Sequence, residues 1–211
     1  MKKIILFIII NTYIFSSTKE NNKFNIYILE NLKTEIRTIE IRNINNKLTV
    51  VGDSTSKSTK NTQGIRVEAY KPLLKVSKHN IYLGGGLKVH EPIEFNHDFS
   101  AMSYLSPVYF STLYSYEDKN YDLFGKFNIG YELAFDNKKN VEPYDTDLIA
   151  EVKGGLHFGL EGGVVYRNFI LGLSYNQTST KLEIPQGINQ RKGKVDIDYI
   201  SYTLNLGYQF D

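Results

Sequence analysis

Residues 155–176 read GLHFGLEGGVVYRNFILGLSYN, and this stretch decides the fold. Leu156, Phe158, Leu160, Val164 and Tyr166 interleave with His157, Gly159, Glu161 and Gly163. After Arg167 and Asn168 the pattern resumes, with Phe169, Leu171, Leu173 and Tyr175 against Gly172, Ser174 and Asn176. Successive side chains of a strand point to opposite faces. Each half is therefore a strand with one oily face and one face of polar residues and glycine. The link between the halves is too short for anything but a tight antiparallel hairpin.

The same alternation spreads outward in both directions. Toward the C-terminus, YTLNLGYQF (202–210) sets Tyr202, Leu204, Leu206, Tyr208 and Phe210 against Thr203, Asn205, Gly207 and Gln209. Toward the N-terminus, Tyr121, Leu123, Phe127, Ile129, Tyr131, Leu133 and Phe135 share one face, and Asp122, Lys126, Asn128, Gly130 and Glu132 the other. Segment 107–117 sets Val108, Phe110, Tyr114 and Tyr116 against Ser111, Ser115 and Glu117. Segment 80–90 sets Ile81, Leu83, Leu87 and Val89 against Gly84, Gly86, Lys88 and His90. Segment 64–73 sets Ile65, Val67 and Ala69 against Arg66, Glu68 and Tyr70. These make seven strands. An eighth is expected within 33–51, where Ile39, Ile41, Leu48, Val50 and Val51 are candidates.

The links carry independent information. Those at 74–79, 118–120 and Arg167-Asn168 are short, whereas those at 52–63, 91–106, 136–150 and 183–196 are long and polar. Short and long alternate along the chain. An up-and-down barrel with turns on one side of a membrane and loops on the other has this arrangement. A polar face rich in glycine suits a crowded lumen better than a solvated exterior. The apolar set is therefore placed toward lipid. The expectation is an all-β, eight-stranded antiparallel up-and-down transmembrane β-barrel, whose closed hydrogen bonding lets a sheet sit in hydrocarbon.

Composition narrows the class further. The 211 residues carry 25 Lys+Arg against 23 Asp+Glu, too balanced for an electrostatic nucleic-acid binder. There is no cysteine, which removes disulfides, thiol catalysis and a lipoprotein anchor. No apolar run reaches the roughly 18 residues of a membrane-spanning helix. Met1-Lys2-Lys3, the apolar run Ile4 to Ile10 and Ser16-Ser17 have the pattern of a secretory signal peptide over 1–17, leaving 18–211 as the barrel domain.

Five stretches carry a family resemblance: IYLGGGLKV (81–89), PVYFSTLYSY (107–116), FNIGYELAF (127–135), the 155–176 hairpin and YTLNLGYQF (202–210). The chain resembles the small eight-stranded outer-membrane barrels of didermic bacteria, of the OmpA-like or OmpX-like type. The resemblance implies an outer-membrane location with both termini periplasmic. It implies contact with outer-membrane lipid and lipopolysaccharide, and insertion by the barrel assembly machinery. It also implies that Tyr208 and Phe210 belong to a C-terminal assembly signal, although Asp211 follows the last aromatic. The function it implies is a non-enzymatic scaffold displaying four long extracellular loops to an unknown partner, in adhesion or envelope integrity. The alternatives are a narrow channel for small or apolar solutes and a lipid-modifying enzyme.

Candidate chemical residues are few. Arg66, Glu68, Lys88, Lys126, Glu132 and Glu161 fall on lumen-facing positions, three of each sign, and are expected to pair as a structural plug. His90, Glu91, Glu94, His97 and Asp98 cluster in one long loop without a fixed ligand spacing, so no metal is expected there. His157 and Glu161 share a face but lie about 13 Å apart at strand rise, which excludes a direct hydrogen bond. No cofactor, metal or catalytic set is expected.

Overall fold

The computed structural model describes residues 22–44, 47–50, 55–58, 63–90, 93–94, 102–135, 138–140, 149–184 and 193–210. The expected signal segment lies outside them. Eight long strands run antiparallel: β1 (Lys23–Ile44), β2 (Gln63–Val76), β3 (His79–His90), β4 (Met102–Glu117), β5 (Asp122–Phe135), β6 (Ile149–Tyr166), β7 (Phe169–Ile184) and β8 (Gly193–Phe210). Each pairs with its neighbours in sequence, and β8 pairs with β1 along Phe24↔Phe210 to Ile41↔Lys194, closing the sheet into a barrel. No strand is shorter than 12 residues, enough to cross a bilayer with tilt.

The stagger of the barrel can be read from its ladders. From Ile129, pairings through Phe110, Gly85 and Ala69 reach Phe24 on β1. In the other direction they pass through Phe158, Gln177 and Ile200 and reach Glu35. The circuit thus closes eleven residues further along β1 (Phe24 to Glu35), one of them taken up by the irregularity between Asn31 and Lys33. Eight strands with a shear of this size enclose a bore just wide enough for side chains to fill.

The two faces separate as the alternation requires. Among the described residues, 29 large hydrophobic side chains are exposed and 11 are buried, while 24 polar or charged side chains are buried. That is the inverse of a water-soluble core. Ile28, Ile65, Phe110, Leu160, Leu173 and Leu206 point out; Glu68, Lys126, Asn128 and Asn205 point in.

Two sequence expectations need correction. The first strand is Lys23–Ile44, beginning ten residues before the 33–51 window. Phe24, Ile26 and Ile28 point outward as expected of a strand, but Tyr27 and Leu29 fill the lumen, so IYIL (26–29) is an unbroken apolar run that hides its period. The long connections are also narrower than expected. Lys138–Asn140 pairs with Ile149–Glu151, Ile93–Glu94 with Met102–Ser103, Lys47–Val50 and Thr55–Ser58 with β1, and β7 and β8 extend to Ile184 and from Gly193. Stretches such as TSKS (55–58) and KKN (138–140) contain no apolar residue, so no oily row marks them. At the other end the turns are tight. Ser77 and Arg167 each take φ 56°, the left-handed conformation that two-residue hairpin turns require.

Candidate functional site

The lumen is filled from the turn end upward. Tyr82, Leu113, Phe124, Val165 and Ile170 form an apolar layer nearest the turns, joined by Tyr27, Tyr70 and Leu29. Above it lies a quartet of charges. Arg66 on β2 donates Nη2 to Glu161 Oε1 on β6 at 2.9 Å, and its Nη1 stands 2.7 Å from Glu161 Oε2 as an ion contact. Lys126 on β5 donates to both oxygens of Glu68 at 2.9 Å and lies 2.7 Å from Glu161 Oε2. Arg66 Nε, 3.3 Å from Glu68 Oε1, is an ion contact rather than a directed hydrogen bond. Two cations and two carboxylates thus interlock with zero sum, the arrangement under which buried charge is tolerated.

Tyrosines brace the quartet. Tyr109 donates to Glu68 at 2.7 Å and Tyr70 donates to it at 3.0 Å. The Arg66 guanidinium lies 3.9 Å from the Tyr27 ring centre and the Lys126 ammonium 5.0 Å from it. Each tyrosine is paired in register with glycine: Tyr27 with Gly207, Tyr70 with Gly84, and Tyr109 with both Gly86 and Gly130. The space is tight. A Cβ on Gly207 would stand 2.6 Å from Tyr27 Cδ1, and one on Gly84 2.6 Å from Tyr70 Cδ1. The lumen glycines therefore make room for rings lying flat across the neighbouring strand.

A second cluster joins three strands. Thr178 on β7 donates to Glu132 Oε2 on β5 at 2.9 Å, and His157 Nδ1 on β6 lies 2.9 Å from the Thr178 hydroxyl and 3.7 Å from Glu132 Oε2. The Tyr109 ring lies 5.8 Å from that of His157.

The six expected lumen charges are all buried, but they do not form one network. Arg66, Glu68, Lys126 and Glu161 make the quartet, and Glu132 belongs to the second cluster. Lys88 is the direct cross-strand neighbour of Arg66, like charge beside like, and takes no part in the quartet. His157 meets Glu132 and Thr178 rather than Glu161. Thr178 and Tyr109 were missed, although period two places them on the lumen rows of Asn176 and Ser111. Tyr208 and Phe210 point outward, their rings 4.8 Å apart, with Phe210 6.0 Å from Phe24 and Tyr208 5.5 Å from Phe169. The side chains of the His90–Asp98 loop set lie outside those described.

No protein-family model matches the sequence. No curated protein matches it either. Solved structures do. The crystal structure of the outer membrane protein OprG from Pseudomonas aeruginosa aligns at 13% identity and a TM-score of 0.52, covering 88% of this chain and 95% of that one. The solid-state NMR structure of the outer membrane protein AlkL in DMPC lipid bilayers aligns at 13% identity and a TM-score of 0.51, covering 93% and 94%. The likeness is one of fold: the chain has the architecture of the small outer-membrane barrels.

Proposed function

We propose that the protein is an integral outer-membrane β-barrel without catalytic activity, a plugged scaffold that presents four loops outside the cell. The observation that carries this reading is its inverted polarity: a sheet closed on itself, with a neutralised ion quartet inside and exposed aliphatic and aromatic rows outside. Such a surface is costly in water and fits hydrocarbon. The fold shared with OprG and AlkL supports the location. On this reading the termini and the turns at 77–78, 118–121 and 167–168 face the periplasm. The connections 45–62, 91–101, 136–148 and 185–192 face outward, where recognition sits on a rigid scaffold. Outer-membrane lipid and lipopolysaccharide surround the wall, and Tyr208 and Phe210 contribute to recognition by the assembly machinery.

Fractionation tests the reading. The protein is expected in the outer-membrane fraction, released only by detergent. Recovery from the periplasm without detergent would overturn it.

A further inference from the structure

The second lumen cluster does a job that the scaffold reading does not use. Thr178 has one hydroxyl hydrogen, and it goes to Glu132. The 2.9 Å contact between His157 Nδ1 and Thr178 Oγ1 must then be supplied by a hydrogen on Nδ1. The neutral histidine is thereby fixed as the Nδ1–H tautomer, in a chain that runs His157 to Thr178 to Glu132. The same Nδ1 stands 3.7 Å from the Glu132 oxygen that Thr178 occupies. Histidine and threonine therefore compete for one acceptor.

We infer that this cluster is a proton-operated switch in the lumen, in which charging His157 exchanges Glu132 from the Thr178 hydroxyl to the imidazolium. An imidazolium is the stronger donor to a carboxylate, because a charge-assisted hydrogen bond is roughly twice as strong as a neutral one. The displacement needed is less than 1 Å, from the present 3.7 Å to hydrogen-bond distance. All three residues are at most 3% exposed, so little water screens the exchange.

The surrounding charges bear on it from every side of the bore. β2 brings Arg66 and Glu68, β3 Lys88, β5 Lys126 beside Glu132, and β6 Glu161, while β4 presents the Tyr109 ring and hydroxyl. β1 brings Tyr27 and, at the turn end, Lys23; the described lumen residues of β7 and β8 are uncharged. The quartet sums to zero, so among the described lumen residues above it the charge is carried by Lys88, Glu132 and His157, and a proton on His157 adds one positive charge to that set. The backbone carbonyl of Glu132 faces Gly154, beside the point where the β6–β7 ladder shifts register.

NMR of the folded, isotope-labelled barrel in lipid bilayers tests the inference. At pH 8 the His157 nitrogens should show a proton on Nδ1 alone. Between pH 8 and pH 5 the Glu132 carboxyl carbon should move in step with His157, and that movement should vanish in His157→Gln. A His157 that stays neutral at pH 5 would overturn the inference, as would the opposite tautomer at pH 8. An unchanged Glu132 movement in His157→Gln would do the same. The wild-type titration decides the matter even if the variant fails to fold.

Discussion

Lys126 touches both carboxylates of the quartet, so its removal leaves Glu68 and Glu161 to share the single cation Arg66. Breaking a buried ion pair from one side costs about 3–5 kcal/mol, because the remaining charge keeps its desolvation penalty. Lys126→Met is expected to lose stability in that range by urea unfolding in detergent, and Lys126→Met with Glu68→Gln should lose less. A loss below about 1 kcal/mol, the scale of an exposed pair, would mean that the quartet is hydrated. Gly86 gives a second residue-level test. A Cβ there would stand 2.7 Å from Tyr109 Oη and 2.8 Å from Glu68 Cγ. Overpacking of that kind costs about 1–3 kcal/mol, so Gly86→Ala should destabilise the barrel, and less so once Tyr109 is shortened to Ser. The inward charges themselves were legible from odd and even positions alone. Their partners were not, because Arg66 and Glu161 are 95 positions apart and only the stagger of the closed barrel brings them together.

At the level of the strand and its turn, the oily rows made seven strands legible, and the first was lost where lumen tyrosine and leucine erased the contrast between faces. The turns carry their own chemistry. Lys78 and Asp118 meet at 2.9 Å across neighbouring turns. The hydrogen bond from Lys78, helped by the backbone of Lys119, holds the Asp118 carboxyl below its ordinary value of 3.8. The same bond holds the Lys78 ammonium above its ordinary 10.5. A carboxyl held low favours the folded state above its unfolded value, and that benefit goes as pH falls through the folded value. An ammonium held high acts below its unfolded value and fails as pH rises through the folded one. Asp118→Asn should therefore differ from wild type across neutral pH by a small margin, the pair being exposed. The difference should fade below about pH 3.8 and above about pH 10.5. A difference that persists at low pH would assign the effect to turn geometry instead.

For the whole molecule, polarity and closure make separable claims. Ile129 sits on the outer wall of β5, midway along its strand. An arginine facing mid-bilayer lipid costs about 2–4 kcal/mol, so Ile129→Arg should lower folding into lipid by that amount, and Ile129→Leu by little. Closure is tested by heat and by current. A barrel whose ladder runs unbroken from β1 round to β8 resists detergent until boiled, so the unheated protein should migrate faster on a detergent gel than the heated one. The bore is blocked twice, by the Tyr82, Leu113, Phe124, Val165 and Ile170 layer and by the quartet above it. Bilayer recordings of the native chain should show no large steady conductance, since side chains occupy a lumen this narrow. The two blocks lie in series, so emptying one leaves the other: Lys126→Met alone should still not conduct. Steady current through the wild type would overturn the plug and make the barrel a channel. Current through Lys126→Met alone would show that the apolar layer does not seal, and that the charges hold the bore shut by themselves.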